Sequence, residues 1–559
     1  MTDTAASPVN ALAERTLQAY LELSPTMATL YGDERYADQL EDPSPQGRAR
    51  KRALWQQVLG DAGTIATDGL AEDERITLHV LKVLARRGIR EDDQRVHLLF
   101  AAHHMDGPQS LLPQVVQFQP ADTPERLEKL LARLRAYGPF VEAYIGQLRE
   151  GIETGLTVPR VVAERSIDQL ERLLATPIEE AVIPAMARVA SEAQRERVRE
   201  VVRDVIYPAE TAYLAVLRRE YLPATREDPG LGSAPDGEAI YRTQIHTWTT
   251  LDLEPETVHH VGLEEMTAVD EQRRLLARAN GFGDDVARYR RALQDDPSNR
   301  AATPEGLLER AHEDIERAMA VVPRSFSRLP RAGCIVKATE PFKEKDAPFA
   351  YYFPPAVDGS RPGTYYVNAY DLPSRYFSTL ASTTYHEAVP GHHFQLSLET
   401  ENPDLVPFRR LVARAAAGAF VEGWGLYAEA LADELGLYRN DGERLGMLDA
   451  RAWRAARLVV DSGIHALGWT RRRSIDYLLA TGLTETDAVI ETDRYISLPG
   501  QALAYMTGMR EILRLRRELE ARDGDRFDLR GFHDQVIGHG SLPLGTLAAE
   551  LPSWVRPLA

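Results

Sequence analysis

The residues with the clearest potential for chemistry form the sequence His-Glu-Ala-Val-Pro-Gly-His-His, which begins at His386. In a His-Glu-x-x-His helix, two imidazoles one turn apart hold a zinc ion, and the Glu between them acts as general base on water. Glu387 occupies the position of that base. Pro390 stands four residues after His386, where the second ligand is expected, and the next histidines are His392 and His393. The chain therefore departs from the plain zinc-binding pattern.

Helix geometry distinguishes between the two later histidines. On an unbroken helix, His393 would share the face of His386 but lie ~10 Å further along the axis, too far for one ion. Pro390 cannot donate to the carbonyl of His386, and Gly391 permits backbone angles that other residues avoid. If these two residues form a bulge, His392 reaches the one-turn position. We therefore predict His392 as the second ligand, with His393 as the alternative.

A second segment supplies acidic side chains in apolar surroundings. It reads Phe-Val-Glu-Gly-Trp-Gly-Leu-Tyr-Ala-Glu and contains Glu422 and Glu429. The two are seven residues apart, so both can lie on one face of a helix. A catalytic zinc commonly takes three protein ligands, which predicts one Glu as the third ligand. The other Glu would orient a ligand histidine.

These two segments resemble the bacterial family named domain of unknown function 885. Three later motifs extend the resemblance over most of the chain: residues 460–469, 498–505 and 539–544. The family is distantly similar to zinc peptidases with two His and one Glu ligand, such as thimet oligopeptidase and angiotensin-converting enzyme. Phe-Val-Glu at residues 420–422 resembles the third-ligand segment of the former. The resemblance thus implies a Zn²⁺ cofactor, with Glu422 as the metal ligand rather than Glu429.

Hydrolysis through a tetrahedral intermediate also needs a donor for the developing oxyanion. In the peptidases that the chain resembles, a Tyr or His from a late helix serves this purpose. His465, Tyr495 and Tyr505 are the candidates for that role here. Arg494 is a candidate for holding a substrate carboxylate.

Composition limits the classes of partner. The 559 residues include 84 acidic and 66 basic ones, and the net charge of −18 disfavours nucleic acid and anionic membranes as partners. The single cysteine excludes an internal disulfide and leaves His and carboxylate as metal ligands. The first residues lack a basic start and an apolar run, and no apolar stretch reaches the ~18 residues of a membrane span. These features predict a cytoplasmic protein.

Hydrophobic periodicity predicts a mainly α-helical fold. The chain is long enough for one large two-lobed unit, and we expect its helices to enclose a deep cleft that admits short peptides. A stretch rich in Pro, Gly and Asp near residue 230 suggests an N-terminal helical lobe at residues 1–230 and a catalytic lobe at residues 231–559. Aromatic and β-branched runs between residues 334 and 368 predict a small antiparallel sheet beside the metal helix. Residues 365–370 would form the strand at its edge that accepts a peptide substrate, or they would belong to an aromatic-rich structural hairpin.

Together, these features predict a zinc-dependent peptidase that hydrolyses small peptides, with Glu387 as general base. One alternative is a metal-dependent amidohydrolase that acts on a non-peptide small molecule, because the same residues would serve it. Another is a non-catalytic binding protein of the same fold. Fingerprints of a phosphate-binding loop, a dinucleotide-binding fold and a Gly-x-Ser-x-Gly hydrolase elbow are missing from the sequence.

Overall fold

A computed structural model describes residues 7–339, 344, 348–356, 359 and 361–558. Most of these residues are helical, which confirms the prediction of a mainly α-helical fold. Residues 1–6, at the start of the predicted N-terminal lobe, lie outside the described residues. Among the described helices, none combines the length and the apolar composition needed to cross a membrane.

Among the described residues, the first part of the chain contains twelve α-helices and two very short strands. Two π-helical turns, Val202–Ile206 and Leu217–Tyr221, flank α11. The helices are α1 Pro8–Leu23, α2 Pro25–Leu30, α3 Pro45–Thr64, α4 Glu72–Asp93, α5 Pro108–Val116, α6 Pro124–Arg135, α7 Tyr137–Thr154, α8 Arg160–Ala175, α9 Val182–Met186, α10 Glu192–Val201, α11 Tyr207–Val216 and α12 Gly237–Thr249; the strands are β1 Pro120–Ala121 and β2 Arg188–Val189.

Of the residues after 249 that the structure describes, those in regular structure form thirteen further α-helices and a three-stranded sheet. The helices are α13 Pro255–Ala279, α14 Val286–Asp295, α15 Pro304–Val321, α16 Phe377–Glu387, α17 His392–Glu401, α18 Pro407–Leu411, α19 Gly418–Glu434, α20 Asp441–His465, α21 Arg471–Leu479, α22 Glu485–Ser497, α23 Ala504–Asp523, α24 Leu529–Gly538 and α25 Leu544–Trp554; the strands are β3 Cys334–Ala338, β4 Ala350–Phe353 and β5 Gly363–Val367.

The chain divides into two compact units. The first contains residues 1–243 together with two later segments, 464–471 and 491–499. The second contains residues 244–463, 472–490 and 500–559, so it includes the β3–β5 sheet and both motifs that carry the predicted metal ligands. A change of composition near residue 230 cannot predict that segments 464–471 and 491–499 belong to the first unit. Their membership depends on contacts between residues distant in sequence.

The small sheet is mixed, whereas the sequence predicts an antiparallel one. Its strand order is β3-β5-β4; β5 pairs antiparallel with β4 and parallel with β3. The strands alternate in direction along the chain, so the first and third run the same way. They become parallel neighbours because β5 inserts between β3 and β4.

This strand order also corrects the predicted substrate-binding edge. Residues 365–370 were expected to provide it, yet β5 pairs on both sides and has no free edge. The edge strands of the described sheet are β3 and β4. Tyr352 of β4 donates a hydrogen bond from its hydroxyl to His393 Nδ1 at 2.9 Å, which joins β4 to α17. Helices α16 and α17, which carry the predicted histidine ligands, both contact the edge strand β4.

Helices α19 and α23 approach closely because glycines face each other at their crossing. A Cβ on Gly423 would lie 2.4 Å from the Cα of Gly508, and a Cβ on Gly508 would lie 1.7 Å from the carbonyl oxygen of Ala419. No side chain fits into such a gap. The contact brings the start of α23, including Tyr505, against the helix that carries Glu422 and Glu429.

A buried aromatic cluster joins α17, α19 and α24. The rings of Phe394 and His533 lie 4.6 and 4.8 Å from that of Phe326, and Trp424 packs edge-on against it. His533 is fully buried; its Nδ1–H donates to the Ser325 carbonyl at 2.9 Å, and its Nε2 accepts from the Tyr427 hydroxyl at 2.7 Å. Both nitrogens are therefore satisfied in the neutral imidazole.

This burial predicts a loss of stability in acid. It lowers the pKa of His533 to about 3, below the ~6.5 of an unfolded chain, so only the unfolded state takes up a proton as the pH falls between these values. As the pH falls from 7.5 to 5.5, protonation of His533 in the unfolded chain should lower the free energy of unfolding by ~1.4 kcal/mol. His533→Gln should lose this pH dependence. Urea unfolding at both pH values measures it. The exposed His260 provides the control, His260→Gln; an unchanged pH dependence in His533→Gln would contradict the prediction.

Candidate metal centre

The helix that starts the metal motif ends one residue after His386. α16 stops at Glu387, Ala388 has φ −108° and ψ −98°, and α17 begins at His392. Residues 388–391 thus all lie outside helical geometry, and the Val389–Pro390 peptide bond is cis. The expected two-residue bulge is therefore a four-residue break, because the backbone already turns at Ala388, before the proline.

Two contacts fix the course of this break. Gly391 packs against the end of α16, where a Cβ would lie 1.8 Å from the carbonyl oxygen of His386, so only glycine fits. Trp424 of α19 is fully buried and donates from Nε1 to the carbonyl of Pro390 at 2.9 Å. The break is thus held by a glycine within it and by a side chain from the second motif.

The break brings two imidazoles and one carboxylate together. The Nε2 atoms of His386 and His392 lie 3.6 and 3.5 Å from the same oxygen of Glu422, Oε2. The two rings are 4.7 Å apart and nearly perpendicular. Ligands of one tetrahedral zinc at ~2.0–2.1 Å lie ~3.3 Å from one another. The spacing of these three groups is therefore close to that of a zinc ligand set.

Glu429 orients His386 from the far side of its ring. Its Oε1 accepts from His386 Nδ1–H at 2.8 Å, and its other oxygen accepts from the Ser382 hydroxyl. This contact fixes the tautomer that leaves the Nε2 lone pair of His386 directed at Glu422. Glu429 thus stands where an orienting carboxylate is predicted.

His393, the alternative ligand, faces the sheet. Its Nδ1 accepts from the Tyr352 hydroxyl at 2.9 Å and lies 3.3 Å from the Ser397 hydroxyl. A Cβ on Gly363 of β5 would lie 2.6 Å from this nitrogen, which shows how closely the ring packs on the strand. The geometry therefore favours His392 over His393 as the partner of His386.

Glu387 belongs to the same cluster. One ligand atom from each of His386, Glu387 and His392 lies within 4.8 Å of the others, an arrangement that could hold a metal ion. This trio contains Glu387 in place of Glu422, yet the Glu422 oxygen is the one at 3.5 and 3.6 Å from the imidazoles. We therefore assign Glu422 to the ligand set and leave Glu387 beside it. Burial raises the pKa of Glu387.

The charge balance of the cluster suits a cation. Burial by itself would lower the pKa of His386, but hydrogen bonding to Glu422 and Glu429 outweighs it and raises the pKa to about 10. Burial acts in the opposite direction on Glu422, and the two imidazoles nevertheless hold its pKa well below the usual range. The surroundings of His386 thus favour a positive charge at this point. A divalent cation would supply that charge in place of a proton.

Tyr505 is the predicted oxyanion donor that the structure brings to the cluster. The ring of Tyr505 lies 6.3 Å from that of His386. The guanidinium of Arg457 lies 4.4 Å from the centre of the same Tyr505 ring. Arg457 is only 2% exposed. Sequence reasoning overlooked Arg457. A sequence feature that points to its burial is its position within the apolar run Ala-Ala-Arg-Leu-Val-Val of α20.

The other three catalytic candidates belong to the first unit, whereas the metal cluster belongs to the second. His465 Nδ1 accepts from Leu231 N–H at 3.2 Å, and its Nε2–H donates to the Tyr495 carbonyl at 2.9 Å, so neither nitrogen is left for a substrate. Tyr495 is buried, and Arg494 lies 3.6 Å from Glu491. The catalytic roles of these residues stay predictions, and the hydrogen bonds of His465 favour a structural role.

Gly425 provides the space for the first imidazole, which leads to a prediction. A Cβ at this position would lie 2.7 Å from the Cε1 and Nε2 atoms of His386. Gly425→Ala should therefore displace the ring and weaken zinc binding at least ~10-fold, the scale of losing an orienting contact. It should also destabilise the fold by ~1–3 kcal/mol through overpacking. Competition with a chelating dye and urea unfolding measure the two effects.

The control for this variant is Gly60→Ala in α3, where an added Cβ meets nothing within 4 Å. Alanine there should stabilise the helix by ~0.5–1 kcal/mol and leave zinc binding unchanged. Equal zinc affinities of Gly425→Ala and the unmodified protein would show that the ring of His386 does not need this space.

Fold and site together define a mainly helical protein with a buried cluster of histidines and carboxylates able to hold a metal ion. The chain belongs to the family described as "Bacterial protein of unknown function (DUF885)", whose model matches residues 25–551. Membership extends over nearly the whole chain and includes both motifs of the cluster.

Two solved structures are similar to this chain over almost their full lengths. One is titled "putative lipoprotein from Colwellia psychrerythraea"; it is 27% identical, with a TM-score of 0.90 and 98% of each chain covered. The other, a "putative lipoprotein of unknown function from Shewanella oneidensis", is 18% identical, with a TM-score of 0.71, and covers 98% of this chain and 100% of its own. The second likeness concerns the fold alone. No curated protein matches the sequence.

Proposed function

We propose that the protein is a zinc-dependent peptidase that hydrolyses small peptides. The observation that carries this proposal is the convergence of His386 Nε2 and His392 Nε2 on Glu422, with Glu387 in the same cluster. Two imidazoles and one carboxylate with an open fourth position are the ligand set of a catalytic zinc rather than a structural one.

His386, His392 and Glu422 would hold the metal, and Glu429 would keep the first imidazole in its tautomer. Zinc bound there would supply a Lewis acid and lower the pKa of a water molecule in the site to about 7. The close spacing of the three donors and the preference for positive charge around His386 support this fit.

Glu387 would act as general base. It would take a proton from the attacking water and hand it to the leaving amine. The raised pKa of its buried carboxyl group supports this role, because a base works best when its pKa lies near the working pH.

Tyr505 would donate from its hydroxyl to the developing oxyanion. Its ring stands beside His386 and is packed against the guanidinium of Arg457, which would keep the hydroxyl in place and favour negative charge nearby. The substrate backbone would add to the free edge of β4, since Tyr352 holds this strand against α17. This edge favours an extended peptide over a compact non-peptide amide.

Cellular location bears on which peptides reach the site. The sequence predicts a cytoplasmic protein, whereas the names of two similar structures contain the word lipoprotein. We propose the cytoplasmic location for the present chain, and fractionation of cells that express the tagged full-length protein tests it. Recovery in the membrane fraction would contradict it.

The function is tested by elemental analysis of the purified protein, followed by digestion of a peptide library. We expect about one zinc per chain and cleavage of short peptides that a chelator abolishes and added zinc restores. Glu387→Gln serves as the control for contaminating proteases, because it differs only at the proposed base. Zinc binding without cleavage of any peptide would favour the amidohydrolase or the non-catalytic alternative, and a protein free of zinc would contradict the proposal.

A further inference from the structure

Gln395 is a buried amide on α17, the helix that begins with His392. It lies on α17, three residues after His392, and its side chain is 1% exposed. Within the described part of the chain, neither its Oε1 nor its Nε2 finds a hydrogen-bond partner. Burial of an unpaired amide is costly, so its presence inside the protein calls for a physical reason.

Among the described residues, the proposed ligand His392 also has a buried nitrogen, Nδ1, with no hydrogen-bond partner. Its Nε2 faces Glu422, so in the neutral tautomer that can bind a metal the proton resides on Nδ1. This Nδ1 is buried and, among the described residues, has no acceptor. His386 differs, because Glu429 accepts its Nδ1–H at 2.8 Å. Ligand histidines almost always make such a bond.

Helix geometry places the two unpaired groups next to each other. Residues three apart on a helix are neighbours, with Cβ atoms ~5–6 Å apart. Side chains lean towards the start of a helix, so Gln395 leans towards His392. The two groups do not bond to each other in the structure as it stands, so a hydrogen bond between them requires a change of rotamer.

Other buried polar residues of α17 already have partners. Ser397 contacts His393 Nδ1, Thr400 donates to the carbonyl of Leu396, and Glu399 accepts from the Ser541 hydroxyl and from Arg414. Gln395 is therefore the buried side chain of the described α17 whose acceptor is available to His392.

We propose that Gln395 is the positioning residue for His392: its Oε1 accepts the hydrogen bond of His392 Nδ1–H and fixes the tautomer and orientation of the ring. The Nδ1–H of His386 would then donate to the carboxylate of Glu429, and that of His392 to the neutral amide of Gln395. The consequence for zinc affinity rests on the proposed function, whereas the hydrogen bond itself does not.

Zinc affinity provides the first test. Gln395→Met keeps the length of the side chain and removes the acceptor, and it should weaken zinc binding ~10–100-fold in competition with a chelating dye. Gln395→Glu keeps an acceptor and should bind zinc at least as tightly as the unmodified protein. Glu399→Gln, a buried residue of the same helix with other partners, is the control and should leave affinity within about 3-fold. Equal affinities of Gln395→Met and this control would overturn the proposal.

A second test separates the failure of this proposal from the failure of the proposed function. The zinc-free full-length protein, labelled with ¹⁵N-histidine, should show a slowly exchanging His392 Nδ1–H in the NMR spectrum, assigned by its loss in His392→Ala. Gln395→Met should lose the signal and Gln395→Glu should keep it. If the unmodified protein binds no zinc, the proposed function falls and this result still decides the hydrogen bond. A signal that persists in Gln395→Met would overturn it.

Discussion

Replacement of His386 or of Glu422 by Ala is expected to remove the bound zinc, about one ion per chain. Each variant takes away one of three donors, in which the Nε2 atoms of His386 and His392 lie 3.6 and 3.5 Å from the same oxygen of Glu422. Two remaining protein ligands cannot complete the three-ligand set of a catalytic zinc, so affinity should fall by at least ~10²-fold. Elemental analysis after gel filtration measures the loss directly, and circular dichroism verifies that the helices persist.

The histidine pair after the break provides a matched control. His392→Ala should lose zinc in the same way as His386→Ala, whereas His393→Ala should retain it, because the ring of His393 is bound to Tyr352 and Ser397 beside the sheet. The opposite pattern, with loss at His393 and retention at His392, would mean that the ligand set differs from the one proposed. Full retention in both His386→Ala and Glu422→Ala would rule out this site.

The second large effect is expected from Glu387→Gln. The substitution preserves size and shape but cannot accept a proton, so turnover should fall by ~10² or more while zinc remains bound. We assign Glu422, not Glu387, to the ligand set because its oxygen lies 3.6 and 3.5 Å from the two imidazoles, which is why we expect no loss of metal. Steady-state cleavage of the best library peptide and zinc content of the same sample give both quantities.

A matched carboxylate substitution provides the control. Glu434→Gln changes an exposed Glu near the end of α19 that pairs with Arg516, and it should keep both activity and zinc. If Glu387→Gln loses zinc, Glu387 is a ligand and its role as base is wrong. If it keeps zinc and full activity, another group takes the proton.

The sequence alone determined the groups that meet at the site. The choice of Glu422 over Glu429 as the metal ligand came from the resemblance of residues 420–422 to zinc peptidases. The types and spacing of the four residues predicted the rest: a pair of imidazoles and two carboxylates, one of which orients a histidine. These inferences depend on helical periodicity and on the angles open to proline and glycine, which are local properties of the chain. The helical class followed from the same periodicity.

Tertiary packing decided what local rules leave open. Within the break at residues 388–391, the Pro390 carbonyl accepts a hydrogen bond from Trp424 on a different helix, a contact that no local pattern specifies. The order β3-β5-β4 depends on which strand inserts between the others, and alternation along a strand does not encode it.

Packing also selected among the predicted oxyanion donors. Tyr505 lies beside His386 because two glycines let α19 and α23 approach, whereas both nitrogens of His465 are bonded elsewhere in the first unit. In the sequence these candidate oxyanion donors looked equivalent. Only contacts between residues distant in sequence distinguished them, because the neighbours that each side chain packs against cannot be identified from a local pattern.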